Sequence, residues 1–253
     1  MQDALPILIF HTVDDRGLVI SFTPQAFGRN TGMLHERGCR TLPLLEAAER
    51  VRRGQPFPPR CFVLTFDDGY QSVYRKAFPV LQRYAMSATI FVTTGEHRPS
   101  GPAERLPPCE GQPMLSWGEI RELHDWGVEI GAHTCTHPDL TRLPTQRVRS
   151  ELRDSKAIIE DMLGTEVRSF AYPYGRYDRR SQEIAQEHFQ CACSDMLGLV
   201  THHSCPYALE RVDAYYLRPD GLFGLVLTGW FPSYLVLRRL TRGVKRALGR
   251  RPG

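Results

Sequence analysis

The chain of 253 residues has no unbroken apolar run of 18 or more residues, so no standard membrane-spanning helix is expected. It has no Ser/Gly-rich linker and no low-complexity tract, which argues for one main domain. Its seven cysteines are an odd number, and their spacing shows no disulfide framework. The opening Met1-Gln2-Asp3-Ala4-Leu5-Pro6 has neither a basic segment nor a long apolar one, so no secretory signal is read there. Both features fit a reducing cytoplasm, the expected location. Strong charge imbalance is also missing: a net +4 is too little to argue for nucleic acid as a partner. What is present is an ordinary globular composition, 42% hydrophobic and 24% charged. Basic residues gather between Arg238 and Arg251, which sets off residues 222–253 as a tail with its own role after a domain of residues 1–221.

Short apolar runs alternate with helical patterns. Strands are expected at Leu5 to Phe10, Cys61 to Phe66, Ala88 to Thr93, Val128 to Ala132, Arg168 to Tyr172 and Gln190 to Cys193, with a further short one within Leu209 to Tyr215. Helices are expected after Thr23-Pro24, over Leu44 to Arg53, over Ser72 to Tyr84 with an interruption near Pro79, after Ser116, over Thr145 to Leu163 and over Ser181 to Glu187. Ser116 and Glu119 have the spacing of a capping box. Phe223 to Leu248 reads as two helical pieces broken at Pro232, and the Pro- and Gly-rich stretch 96–113 as a long loop. This alternation predicts parallel βα units, in an open sheet or a barrel.

Chemically suggestive residues recur at the ends of these strands: His11, Asp67-Asp68, His133 and Tyr174. In a (β/α) barrel such ends share one face, where active sites lie. Asp67 and Asp68 follow a buried run, where two carboxylates would repel unless something positive lies beside them. A metal cation answers that need; a solvated Asx-type turn is the plainer reading. His133 and His137 are four apart and can converge on one ion, in a helical turn or a tight loop, with one Asp completing a two-His, one-Asp set. Two packed histidines after a strand would give the same letters, and Cys135 between them is read as packing. Pro173-Tyr174-Gly175 marks a turn whose backbone N–H can serve an oxyanion, or simply a turn that ends a strand.

Thr65-Phe66-Asp67-Asp68-Gly69-Tyr70, His133-x-x-x-His137 and Phe170-x-x-Pro173-Tyr174-Gly175 occur in that order. Together they resemble the polysaccharide deacetylase family, the NodB-homology domain of carbohydrate esterase family 4. Leu8-Ile9-Phe10-His11-Thr12-Val13 is similar to the opening of one branch of that family. The resemblance runs from about Leu5 to Tyr216. It implies an α/β fold, a distorted and, in that branch, circularly permuted (β/α) barrel with fewer than eight regular units. It also implies metal-dependent removal of acetyl groups from N-acetylhexosamine units of a glycan or glycolipid. Carried over by position, Asp67 resembles the base, while Asp68, His133 and His137 resemble the ligands of one divalent metal. Tyr174, after Pro173, resembles the oxyanion donor. Zinc suits that donor set, and so do cobalt, nickel and iron.

Two departures stand out. Ala171 occupies the position of an arginine that tethers the base in many members, and Arg211 is the candidate replacement. No histidine follows His203, so the late histidine that often serves as acid is missing, and His11 takes that role in the resembling branch. The tail joins an apolar-aromatic segment to a basic one, which reads either as a peripheral membrane contact or as a terminal helix packed on the barrel. An amide hydrolase acting on a small non-sugar substrate, and a catalytically silent carbohydrate-binding protein, are the rival readings.

Overall fold

The structure is a computed structural model that describes residues 2–95, 111–219 and 221–247. Seven parallel strands close a barrel: β1 (Ile7–Phe10), β2 (Cys61–Phe66), β3 (Thr89–Val92), β4 (Glu129–Ala132), β5 (Ser169–Ala171), β6 (Cys191–Leu197) and β7 (Leu209–Asp213). They run around the barrel in chain order, and β1 closes the ring by pairing with β2 on one side and β7 on the other. Circular permutation leaves such a cyclic order intact and changes only which strand comes first.

Both faces of these strands are covered, as the unbroken apolar runs require. The two faces separate by residue parity. Ile7, Val63, Phe91, Ala171, Cys193 and Leu209 belong to one buried cluster, and Leu8, Leu64, Ile90, Phe170, Ala192 and Val212 to another. The first set lines the barrel interior; the second packs beneath the helices. The interior is tight at Gly131, where a Cβ would come within 2.5 Å of the Phe91 ring.

The outer layer consists of α1 (Pro24–Glu36), α2 (Leu44–Arg52), α3 (Phe78–Arg83), α4 (Trp117–Trp126), α5 (Thr145–Leu163), α6 (Arg179–His188) and α7 (Phe231–Ala247). Thr23 caps α1 by accepting from Ala26 N at 3.2 Å, and Ser116 with Glu119 forms the expected capping box of α4. Asp178 caps α6 by accepting from Ser181 N at 2.8 Å, so that helix starts before the predicted Ser181.

The expected interruption in the 72–84 helix is present, as a π turn over Val73–Ala77, where a proline four residues on removes the N–H that Arg75 C=O would accept. Several expectations are corrected. β6 extends to Leu197 because an irregularity between Cys193 and Leu197 carries the strand past its apolar start. No helix separates β6 from β7. Pro232 does not break the final helix but lies in its first turn, where its missing N–H has no intrahelical partner to lose; the break falls just before Phe231. The predicted loop lies outside the described residues up to position 110, as does Leu248.

The chain after Gly221 joins the same core. Phe223, Val226, Phe231 and Leu235 are buried, and the Phe223 ring lies 6.4 Å from Phe10 of β1. None of the six described cysteines is paired.

Candidate active site

The odd-numbered residues of β2 face the barrel interior, and Asp67 continues that register one step beyond the strand. It is buried, and Arg211 of β7, itself 1% exposed, donates Nη1 and Nη2 to the two Asp67 oxygens at 2.8 Å each. Arg211 Nη1 also donates to Thr65 Oγ1 at 3.1 Å and Nε to the Ser194 carbonyl at 2.8 Å, which leaves the guanidinium one orientation. Burial opposes ionisation of Asp67, but the charge of Arg211, then His133, outweighs it and holds the carboxyl below the usual carboxylate range. Ala171 contributes its carbonyl, which accepts from His133 Nδ1 at 2.7 Å.

Asp68 has a positive φ of 71°, and the turn this produces aims its carboxylate away from Arg211 and toward the histidines. His133 Nε2 and His137 Nε2 each lie 3.3 Å from Asp68 Oδ1. One ligand atom from each of the three residues lies within 4.8 Å of the others. Both 3.3 Å separations are long for a hydrogen bond, whose usual N···O distance is about 2.9 Å. They match two donors each about 2.0–2.2 Å from a shared tetrahedral ion. The hydrogen bond to Ala171 puts the His133 proton on Nδ1 and turns its Nε2 to the common point, as metal-ligating imidazoles require.

Burial works against charge at all three groups. At Asp68 the hydrogen bonds from His133 and His137 outweigh it, and the carboxyl is held far below its ordinary range. At His133 the interaction of its Nε2 with the Asp68 carboxylate and the charge of Asp67 outweigh it, and the imidazole is pushed up; at His137 burial prevails and the imidazole is pushed down. The donor set fits a divalent cation.

The histidines are presented by a tight loop, not a helical turn. Thr134 and His137 both have positive φ, 67° and 58°, and Thr134 Oγ1 accepts from His137 N at 3.0 Å. Glu151 of α5 anchors this loop: its carboxylate accepts from Cys135 N at 2.9 Å, Thr136 N at 3.0 Å and Thr136 Oγ1 at 2.8 Å. Sequence reasoning missed Glu151, although it occupies a core-facing position of α5 with Val148, Leu152, Ser155 and Ile159. Cys135 Sγ faces the Glu151 carbonyl at 3.8 Å, and the ligand atoms that converge among the described residues are those of Asp68, His133 and His137.

Pro173–Gly175 form a single 3-10 turn after β5 in which Tyr174 has a φ of 58°. Gly175 is required there, since a Cβ would come within 2.3 Å of the Asp195 backbone nitrogen. The Tyr174 ring is 56% exposed and meets His137 edge-on, with centroids 4.7 Å apart. Arg176, just beyond the turn, pairs with Asp139 at 2.7 Å and ties the turn to the chain after His137, a contact not foreseen. His11 follows β1, half-buried, and lies near enough to Asp67 and Asp68 to favour their ionised forms. Four of the six described non-glycine residues with positive φ, Asp68, Thr134, His137 and Tyr174, are thus in this one region.

The comparisons with known proteins agree with this geometry. The sequence profile described as polysaccharide deacetylase matches residues 54–189, more than half of the chain. The Bacillus subtilis (strain 168) protein named "Putative polysaccharide deacetylase YxkH" is 30% identical over 209 residues, covering 82% of this chain and 70% of that protein. The poly-beta-1,6-N-acetyl-D-glucosamine N-deacetylase of Staphylococcus aureus (strain N315) is 28% identical over 223 residues, covering 83% of this chain and 72% of that one. The solved structure of IcaB from Ammonifex degensii shares the fold, with a TM-score of 0.75 at 24% identity, covering 90% of this chain and 99% of that one. The chain belongs to the polysaccharide deacetylase family.

Proposed function

We propose that the protein is a metal-dependent de-N-acetylase that hydrolyses the acetamido group of N-acetylhexosamine units in a glycan or glycolipid. One observation carries the division of labour. Of two adjacent buried carboxylates, Asp67 is saturated by Arg211 while Asp68 is aimed between two imidazoles.

Asp68, His133 and His137 would hold a divalent cation, with zinc the best match to the donors. Such a cation supplies Lewis acidity toward a carbonyl and lowers the pKa of water. Asp67, kept ionised and oriented by Arg211, takes the proton of the attacking water. A C–O bond forms and the amide C–N bond breaks, so acetate is released. The Tyr174 backbone N–H donates to the developing oxyanion. His11 gives a proton to the departing sugar amine, histidine being the side chain that carries a transferable proton near neutral pH. The exposed Tyr174 ring beside His137 offers an apolar plate to a sugar face, and the likeness to the Staphylococcus aureus poly-beta-1,6-N-acetyl-D-glucosamine N-deacetylase supports an N-acetylglucosamine polymer as substrate class.

The test is acetate release from an N-acetylglucosamine oligomer by zinc-loaded protein and by Asp67→Asn. Loss of the base should lower kcat by about 10²–10⁴-fold. Equal rates for the two proteins would end the base assignment.

A further inference from the structure

The last 33 residues carry seven Lys or Arg and no Asp or Glu. With +4 for the whole chain, the preceding 220 residues therefore carry a net −3. The cationic character of this protein resides entirely in its final segment.

α7 gives that segment two unlike faces. On the inner face Phe231 and Leu235 are buried, Arg239 Nε donates to the Leu197 carbonyl, and the Arg238 guanidinium lies 5.9 Å from the Tyr216 ring. On the outer face Val236, Leu237 and Leu240 are 53%, 59% and 64% exposed, and Trp230 just before the helix is 76% exposed. In the sequence Val244 and Ala247 continue the spacing of Leu237 and Leu240, while Arg242, Lys245 and Arg246 continue that of Arg238 and Arg239, so apolar and basic residues alternate in two stripes.

We propose that this outer face of α7 docks on an anionic lipid bilayer, the helix lying in the plane of the interface. A row of large exposed apolar side chains is an interaction surface rather than ordinary helix exterior. Tryptophan at one end suits the headgroup level. Lys and Arg without a single acid complement anionic headgroups, each basic residue strengthening partition by about fivefold. The same charge argues against a second copy as the occupant, since a symmetric contact would bring together two basic segments that contain no acid. No helix of the described residues is long and apolar enough to cross a membrane, so contact along the surface is the mode that fits.

The full chain is mixed with vesicles of phosphatidylcholine alone, or of phosphatidylcholine with phosphatidylglycerol, and floated through a density gradient. The protein should float with the anionic vesicles, about tenfold more than with the neutral ones, and less as salt is raised. Leu237→Glu combined with Leu240→Glu should cut flotation by about tenfold or more. The thermal midpoint should stay unchanged, because both side chains point to solvent. Absence of flotation by the parent protein, or equal flotation by the double variant, overturns the proposal. A concentration-dependent dimer that the same substitutions abolish, without vesicle binding, overturns it as well and assigns the face to a second copy.

Discussion

At the mouth of the barrel Asp67 faces both terminal nitrogens of Arg211 at 2.8 Å; at its floor Glu129 is held by hydroxyls alone, Ser169 Oγ at 2.6 Å and Thr89 Oγ1 at 3.0 Å. Burial raises both carboxyls. Against Arg211 it loses, and Asp67 is held below its ordinary range; against two neutral hydroxyls it wins, and Glu129 is pushed above its own. The difference lies in the partner's charge. One end of the barrel favours the ionised form of its carboxyl, and the other shifts the balance toward the neutral form.

The strongest way to break this contrast is to remove the partner. Arg211→Met leaves Asp67 buried without a counter-charge and should destabilise the fold by about 3–5 kcal/mol in urea unfolding. Arg211→Lys should recover part of that loss, since it restores charge but not the two-pronged contact. A Met variant as stable as the parent would mean that Asp67 needs no partner.

Glu151 sharpens the contrast with a third kind of partner, backbone N–H groups. Glu151→Gln weakens the hold on the loop that carries His133 and His137, and zinc affinity should fall by about 10–100-fold in competition with a chromophoric chelator. Unchanged affinity would show that the two positive-φ residues of the loop keep its shape alone.

The smallest effect belongs to the floor. Because the folded protein raises the Glu129 pKa, it binds more protons than the unfolded chain above pH about 4.3, and stability falls as pH rises from there through the raised value. Glu129→Gln should match the parent's melting temperature below that pH and exceed it slightly at neutrality. A variant that melts lower at every pH would place Glu129 with the charged mouth instead.

Much of this was legible in the sequence because it is local. Unbroken apolar runs ending in Asp67-Asp68 and His133 marked strands and their C-terminal ends, and Thr23, Ser116 and Gly164 marked helix boundaries. Arg211 was legible only as a candidate, since nothing in Leu209 to Asp213 shows which carboxylate it meets 144 residues away. Glu151 reads as one more acid on a charged helix, and its burial depends on a loop fifteen residues upstream. The Asp139–Arg176 bridge likewise joins two connections that the pairing of β4 with β5 brings together, while closure of the barrel depends on β1 and β7.

That closure bears on the order in which the chain can finish folding. Asp67 emerges early in synthesis, while its counter-charge sits on the last of the seven strands and its neighbour His11 just after the first. A nascent or truncated chain ending before residue 211 would carry Asp68, His133 and His137, yet the buried Asp67 would lack a countercharge. The seventh strand thus does two things at once: it closes the ring against β1 and brings Asp67 its countercharge.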